Sequence, residues 1–203
     1  MNGAGRRVLD VGGGEGYLST ELLNRGYDVV CVAQPGSVSK VLSQAITVIE
    51  ADLDLDLPVL DRPFDFIICG DVLEHLKRPE RTLAWMAAAM EPKGALVASL
   101  PNGAHWFVRL NVLVGRFPQQ DRGLFDRTHL HFYSWRGWTD LIRGAGLTIT
   151  RSWPTPIPFT LAFEGRRLRA LAGGLERINY AAALLWKRLL AYQFVVVAER
   201  LKL

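Results

Sequence analysis

Residues 8–17 read Val8-Leu9-Asp10-Val11-Gly12-Gly13-Gly14-Glu15-Gly16-Tyr17, an apolar run that breaks into glycines before an amphipathic stretch resumes. Glycine has no Cβ, so such a turn can lead from strand to helix with its backbone close to a ligand and its N–H groups offered at the helix N-terminus. A dinucleotide site needs G-x-G-x-x-G/A. The sixth residue counted from Gly12 is Tyr17 and from Gly14 it is Ser19, so neither register completes that pattern. Asp10, just before the glycines, would also repel a pyrophosphate. The same carboxylate suits a ligand that brings a cation to the turn.

Short apolar runs alternate with helical patterns through the first hundred residues, as βαβ units on a parallel sheet require. Strands are expected at 8–11, 28–33, 47–49, 64–69 and 95–100. Helices are expected at 17–25, closed by Gly26, at 36–44, and at 79–90, with Pro79 in the first turn. Beyond Pro101 the reading is a helix over 105–117, a polar loop over 118–132 and a helix capped by Ser134. A strand at 147–153, a proline connector, a long helix over about 160–190 and a last strand at 194–198 follow. In the long helix Leu168, Leu171, Leu175, Ile178, Ala182, Leu185 and Leu189 recur at three and four, with Gly173-Gly174 a weak point midway.

The 203 residues suit one domain with an appended helix; 49% are hydrophobic and 22% charged, which excludes disordered, collagen-like and coiled-coil classes. No apolar run is long enough to span a bilayer, and the first residues carry no secretory signal pattern. Cys31 and Cys69 lie in apolar runs at no metal spacing, so a reduced, cytoplasmic protein is expected. Residues 1–100 hold 9 Lys/Arg against 14 Asp/Glu and residues 101–203 hold 15 against 6, so the halves carry −5 and +9. The basic residues alternate with apolar ones on helices and do not cluster with stacking aromatics, which disfavours a nucleic-acid partner.

Three further stretches fall into step with the glycine turn: Ala51-Asp52-Leu53 after the third strand; Phe64-Asp65-Phe66-Ile67-Ile68-Cys69-Gly70-Asp71-Val72-Leu73-Glu74-His75-Leu76; and Gln193–Ala198. With D-x-G-x-G-x-G they resemble the class I S-adenosylmethionine-dependent methyltransferases. The closest type is the small one similar to ubiquinone-pathway O-methyltransferases and to methyltransferases of polysaccharide and natural-product pathways. The resemblance implies an α/β, Rossmann-like fold over residues 1–203: a seven-stranded, mostly parallel sheet with an antiparallel last strand and helices on both faces. It implies S-adenosylmethionine as cofactor, with Asp10, Gly12, Gly14, Gly16, Gln34, Asp52, Leu53 and Gly70 as binding residues. The implied reaction is methylation of an oxygen on a small-molecule or sugar acceptor. Two departures leave a non-catalytic interaction module as the alternative. Ala33 stands where the family places an acid for the ribose hydroxyls, leaving Gln34 as a neutral substitute. Only seven residues precede Val8, where relatives have a covering helix.

An oxygen acceptor benefits from a base, and histidine titrates in the useful range. His129, in Asp126-Arg127-Thr128-His129-Leu130-His131-Phe132, lies in a segment that resembles the family's D-R-T-H-L-x-F and is the first candidate; the plainer reading has Asp126 and His129 holding the loop. His75 is the second candidate. Asp71, Glu74 and His75 form a D-x-x-E-H group similar to an E-x-x-E-H set tied to a divalent metal in ubiquinone-type enzymes. The favoured alternative has the acids capping a helix and His75 packing beneath the cofactor, so no metal ligand is assigned. The long helix is expected to pack its leucine stripe on the domain or a second copy, with peripheral membrane contact as the other reading.

Overall fold

The computed structural model describes residues 5–37, 44–159 and 166–201, with the backbone alone for 166–170. Five parallel strands form its frame: β1 (Arg7–Val11), β2 (Asp28–Ala33), β3 (Thr47–Glu50), β4 (Phe64–Gly70) and β5 (Met90–Pro101). Two more, β6 (Leu147–Pro154) and β7 (Gln193–Arg200), complete a seven-stranded sheet in the order β3-β2-β1-β4-β5-β7-β6. β7 runs antiparallel to both β5 and β6. Their valine, isoleucine and leucine runs suit strands covered on both faces. Leu9, Ile67, Leu96 and Val196 are wholly buried in one continuous core.

The described helices are α1 (Tyr17–Asn24), α2 (Pro79–Ala89), α3 (Trp106–Leu113), α4 (Trp135–Gly144), α5 (Arg166–Leu185) and α6 (Lys187–Leu190), with a 3₁₀ turn at Leu73–His75. Ser134 caps α4 through a hydrogen bond from the Gly137 N–H, and Gly26 follows α1 with φ 82°. The helix expected over 36–44 lies largely outside the described residues.

Four features depart from the sequence reading. β5 begins at Met90, because Met90 pairs with Phe64 and the expected turn at Glu91–Gly94 is absorbed as a bulge. A Cβ on Gly94 would come within 3.0 Å of the Phe64 and Glu91 carbonyls. The expected 105–117 helix stops at Leu113, where Gly115 turns left-handed at φ 72° and its N–H bonds the Val112 carbonyl. The long helix is continuous through Gly173-Gly174 but breaks at Trp186, whose φ of −135° and ψ of 65° separate α5 from α6.

The fourth difference concerns how α5 sits. Its leucine stripe does not pack on the domain: Leu171 is 68% exposed, Ile178 69% and Leu185 91%, whereas Ala172 and Ala183 are buried at 1% and 0%. Small residues face the protein and large apolar ones face outward.

Replacing Leu96 by Ala empties a side-chain volume at the centre of the sheet that its neighbours cannot collapse to fill. A loss of about 2–5 kcal/mol in unfolding free energy is expected by urea denaturation.

Candidate active site

β1 ends beneath the glycine turn. Gly12 and Gly13 donate their N–H groups to the Val32 carbonyl of β2 at 2.7 and 3.3 Å. Gly12, Gly14 and Gly16 have φ of 76°, 51° and 87°, which L side chains rarely adopt. A Cβ on Gly12 would collide with the Val72 side chain, and one on Gly13 with the Cys31 sulfur. Glycine is therefore required here for space as well as for conformation.

A cavity of about 280 Å³ opens beside this turn at the C-terminal ends of the parallel strands, where open α/β sheets take their ligands. Gly12, Gly14, Ala33, Gln34, Asp52 and Leu53 line it, joined by Asp71, Val72 and His75. Gly16 starts α1 and borders a neighbouring open depression. Gly70 ends β4 just outside the cleft-lining residues. Asp10 lies under the turn, 3% exposed, with its Oδ2 accepting a 2.6 Å hydrogen bond from Ser19 Oγ. Burial raises its pKa, and the Ser19 bond opposes that rise. Ser37 and Asp54 also line the cleft; neither belongs to a sequence motif, and only the tertiary fold brings them there.

A second, polar cavity adjoins the first and shares Asp71 and His75 with it. Asp71 is the only non-glycine described with a positive φ, 52°. Its carboxylate is held by Ser99 Oγ at 2.7 Å and Gln193 Nε2 at 2.9 Å. It precedes the 3₁₀ turn and, like Glu74, makes no side-chain helix cap, so the capping role expected of these acids is not what the structure shows.

The 118–132 segment lies across this turn as a strap. The Glu74 carbonyl accepts from the Leu130 and His131 amides at 2.8 and 3.2 Å, and His131 Nε2 reaches the Leu76 carbonyl at 2.9 Å. Asp126 bonds the Thr128 amide and hydroxyl and not the His129 ring. Thr128 in turn meets His75 Nδ1, through both its carbonyl and its hydroxyl, at 3.1 Å. A carbonyl only accepts, so Nδ1 carries a proton there, and in the uncharged form of the ring the lone pair is on Nε2.

His129 packs edge-on against His75 with ring centroids 4.8 Å apart, and its Nε2 lies 4.0 Å from Glu74 Oε1. Burial raises the Glu74 carboxyl to about 8, with Asp71 and Asp126 adding to the rise. Burial, then His75, holds His129 below its ordinary value. At neutral pH the pair is therefore a contact between neutral groups, and Glu74 Oε2 has no hydrogen-bond partner among the described residues. Ligand atoms of Glu74, His75 and His129 all lie within 4.8 Å of one another, so these three can hold a divalent cation. Asp71, which the sequence motif grouped with Glu74 and His75, is not in that set.

A third cavity, of about 370 Å³, shares Arg122, Gly123, Leu124 and Tyr192 with the polar one. Its walls include Trp106, Phe107, Phe125, Ile157 and Phe159. The aromatic content of this half of the chain signalled such a pocket, but Tyr192 and Leu124 carried no signal. Of the other aromatics, Trp138 is fully buried and bonds the Pro101 carbonyl. His105 caps α3, Nδ1 accepting from the Phe107 amide.

Residues 1–152 match the family model described as a methyltransferase domain. The chain belongs to that family, the class I S-adenosylmethionine-dependent methyltransferases. It is 28% identical over 170 residues to a ubiquinone biosynthesis O-methyltransferase of Coxiella burnetii, covering 68% of this chain and 73% of that one. An S-adenosylmethionine-dependent methyltransferase from Archaeoglobus fulgidus superposes with TM-score 0.63 at 18% identity, over 98% of this chain and 87% of its own. The magnesium protoporphyrin IX methyltransferase of Synechocystis, solved with bound S-adenosylhomocysteine, gives 0.64 at 19% identity over 98% and 76%. Both structures share the fold.

Because the folded pKa of Glu74 is raised from 4.5 to about 8, its proton favours the native state. That contribution is complete below about 4.5 and is lost as pH rises through about 8. With a chelator present, the melting temperature of Glu74→Gln relative to the parent is expected to climb by a few degrees between pH about 5 and about 9. A difference that does not vary with pH would show that Glu74 ionises normally.

Proposed function

We propose that the protein methylates a hydroxyl oxygen on a small, flat, largely apolar acceptor seated in the aromatic cavity. The continuity of the three cavities carries this reading. The cofactor cleft meets the polar junction at Asp71 and His75, and the junction meets the aromatic pocket at Leu124 and Tyr192. The residues present fit the cofactor: the glycine turn leaves room for backbone approach, Leu53 offers an apolar wall, and Gln34 and Ser37 offer neutral partners for ribose hydroxyls where Ala33 offers none. When bound, S-adenosylmethionine supplies an electrophilic methyl on a sulfonium.

His75 touches both the cleft and the junction, and its Nε2 lone pair is positioned to take the acceptor's proton. Nε2 would receive the hydroxyl proton of the acceptor. Thr128 fixes the tautomer and Asp126 fixes Thr128. His129 and neutral Glu74 then position the His75 ring, so His129, the first base candidate from the sequence, acts here as a positioning residue. Asp52, Asp54 and Asp71 bring carboxylates to the cleft, and buried Asp10 supports the turn from beneath. The Ile157–Phe159 wall and the Trp106–Phe107 wall exclude water from the acceptor, and aligning the two reactants supplies up to about 7–11 kcal/mol of the barrier lowering.

Calorimetric titration is expected to show micromolar S-adenosylhomocysteine binding, weakened several-fold in Gln34→Ala by loss of a neutral hydrogen bond of about 0.5–1.5 kcal/mol. Absence of binding in the parent would return the chain to a non-catalytic module. With hydroxylated aromatic acceptors, His75→Gln is expected to lower kcat about 10²-fold or more while the calorimetric affinity stays close to the parent's. Unchanged kcat would remove His75 as the base. Activity abolished by a chelator and restored by Mg²⁺ would instead make Glu74, His75 and His129 metal ligands.

A further inference from the structure

Among the described residues, nothing covers the outward stripe of α5. Leu171, Leu175, Ile178 and Leu185 recur at four, three and seven along one face, all at least half exposed. The helix holds to the domain by its other side, through Ala172 and Ala183 and through Asn179, whose Oδ1 accepts from the Ile157 amide. α3 and the residues just after it expose a second apolar surface: Leu110 at 49%, Leu113 at 82%, Val114 at 60% and Phe117 at 50%. The aromatic cavity is lined by the start of α3 and by Ile157, which Asn179 of α5 holds. Trp106 and Phe107 of α3 form one wall, and Ile157 and Phe159, leading towards α5, form the other. A monomer in water does not ordinarily leave this much apolar helix surface uncovered.

The charges beside these surfaces are of one sign. Residues 102–117 contain Arg109 and Arg116 and no acid; residues 166–190 contain six Lys or Arg and a single Glu. Arg109, Arg116, Arg177 and Arg188 are exposed, and Trp186, 63% exposed, stands at the break after α5. A second copy of this chain would oppose cation to cation. A surface that is both apolar and anionic complements the pattern, and an aromatic belt beside a cationic rim is what interfacial helices present to lipid. No helix among the described residues is long and apolar enough to cross a membrane.

We infer that the α3 and α5 faces dock together on an anionic lipid bilayer, lying in its interface, with the mouth of the aromatic cavity turned toward the acyl region. Docking stands on the exposed faces alone. Its consequence, that an apolar acceptor enters the cavity from the lipid, rests on the function proposed above.

Flotation of the whole protein with vesicles tests it, and neither cofactor nor acceptor is needed, so failure here is separable from failure of the methyltransfer reading. Co-flotation is expected with equimolar phosphatidylcholine and phosphatidylglycerol, far less with phosphatidylcholine alone, and less again at high salt. Leu175→Glu with Ile178→Glu is expected to lower partitioning about tenfold or more. Leu113→Glu, on the other face, should act in the same direction. All three sites are solvent-exposed, so melting temperature and S-adenosylhomocysteine affinity should be retained. Protein that stays in the aqueous fraction with anionic vesicles overturns the inference. So does a concentration-dependent dimer, seen by sedimentation, that the paired substitution dissolves.

Discussion

One carbonyl organises the cofactor side of this molecule. Val32 O, at the end of β2, accepts from both Gly12 and Gly13, which pins the loop leaving β1 against the neighbouring strand. The pin forces positive φ at Gly12 and brings its Cα against Val72 so closely that no Cβ can stand between them. Val72 belongs to the segment leaving β4, so the same contact sets the distance between the two walls of the cleft. The floor of the cleft, the start of α1 and the approach to His75 all depend on that packing.

The polar junction beside Glu74 is organised by main-chain bonds of a different kind. The Glu74 carbonyl receives two amides from the strap, and the strap returns Thr128 to the His75 ring. Closing the strap over Glu74 removes its carboxyl from water, and this desolvation, more than any neighbouring charge, keeps it protonated. A neutral acid beside two imidazoles can shape the site without competing electrostatically with a cationic cofactor. The raised carboxyl and the lowered imidazole of His129 are thus both consequences of one loop closing.

Much of the fold was legible before any coordinate. The strand–glycine–helix turn, the boundaries of β2 and α1, and the Ser134 cap follow from local chemistry: β-branched runs, residues that tolerate positive φ, a hydroxyl that can receive a helix amide. Where the reading slipped, a long-range partner decided. Phe64 drew Met90 into β5, and the α3 helix ended at a glycine whose left-handed turn overrode an apolar pattern that continued beyond it. Among residues that line the cleft, Gly12, Gly14, Asp52 and Leu53 each follow a strand end in a motif, and Gln34 drew notice as the neighbour of Ala33, where the motif fails. Ser37, Leu124 and Tyr192 were not readable, because no local pattern distinguishes a residue that happens to face a cavity.

By itself the sequence determined the class of sheet and the glycine turn, since these depend on backbone conformation within a few residues. Tertiary structure alone decided where the proton sits on His75. The tautomer of His75 is set by Thr128, fifty-three residues away. It also decided which way the long helix faces. Periodicity at three and four says that leucines share a side, but which side meets the protein depends on what the sheet presents there. Only small residues, Ala172 and Ala183, fit against it.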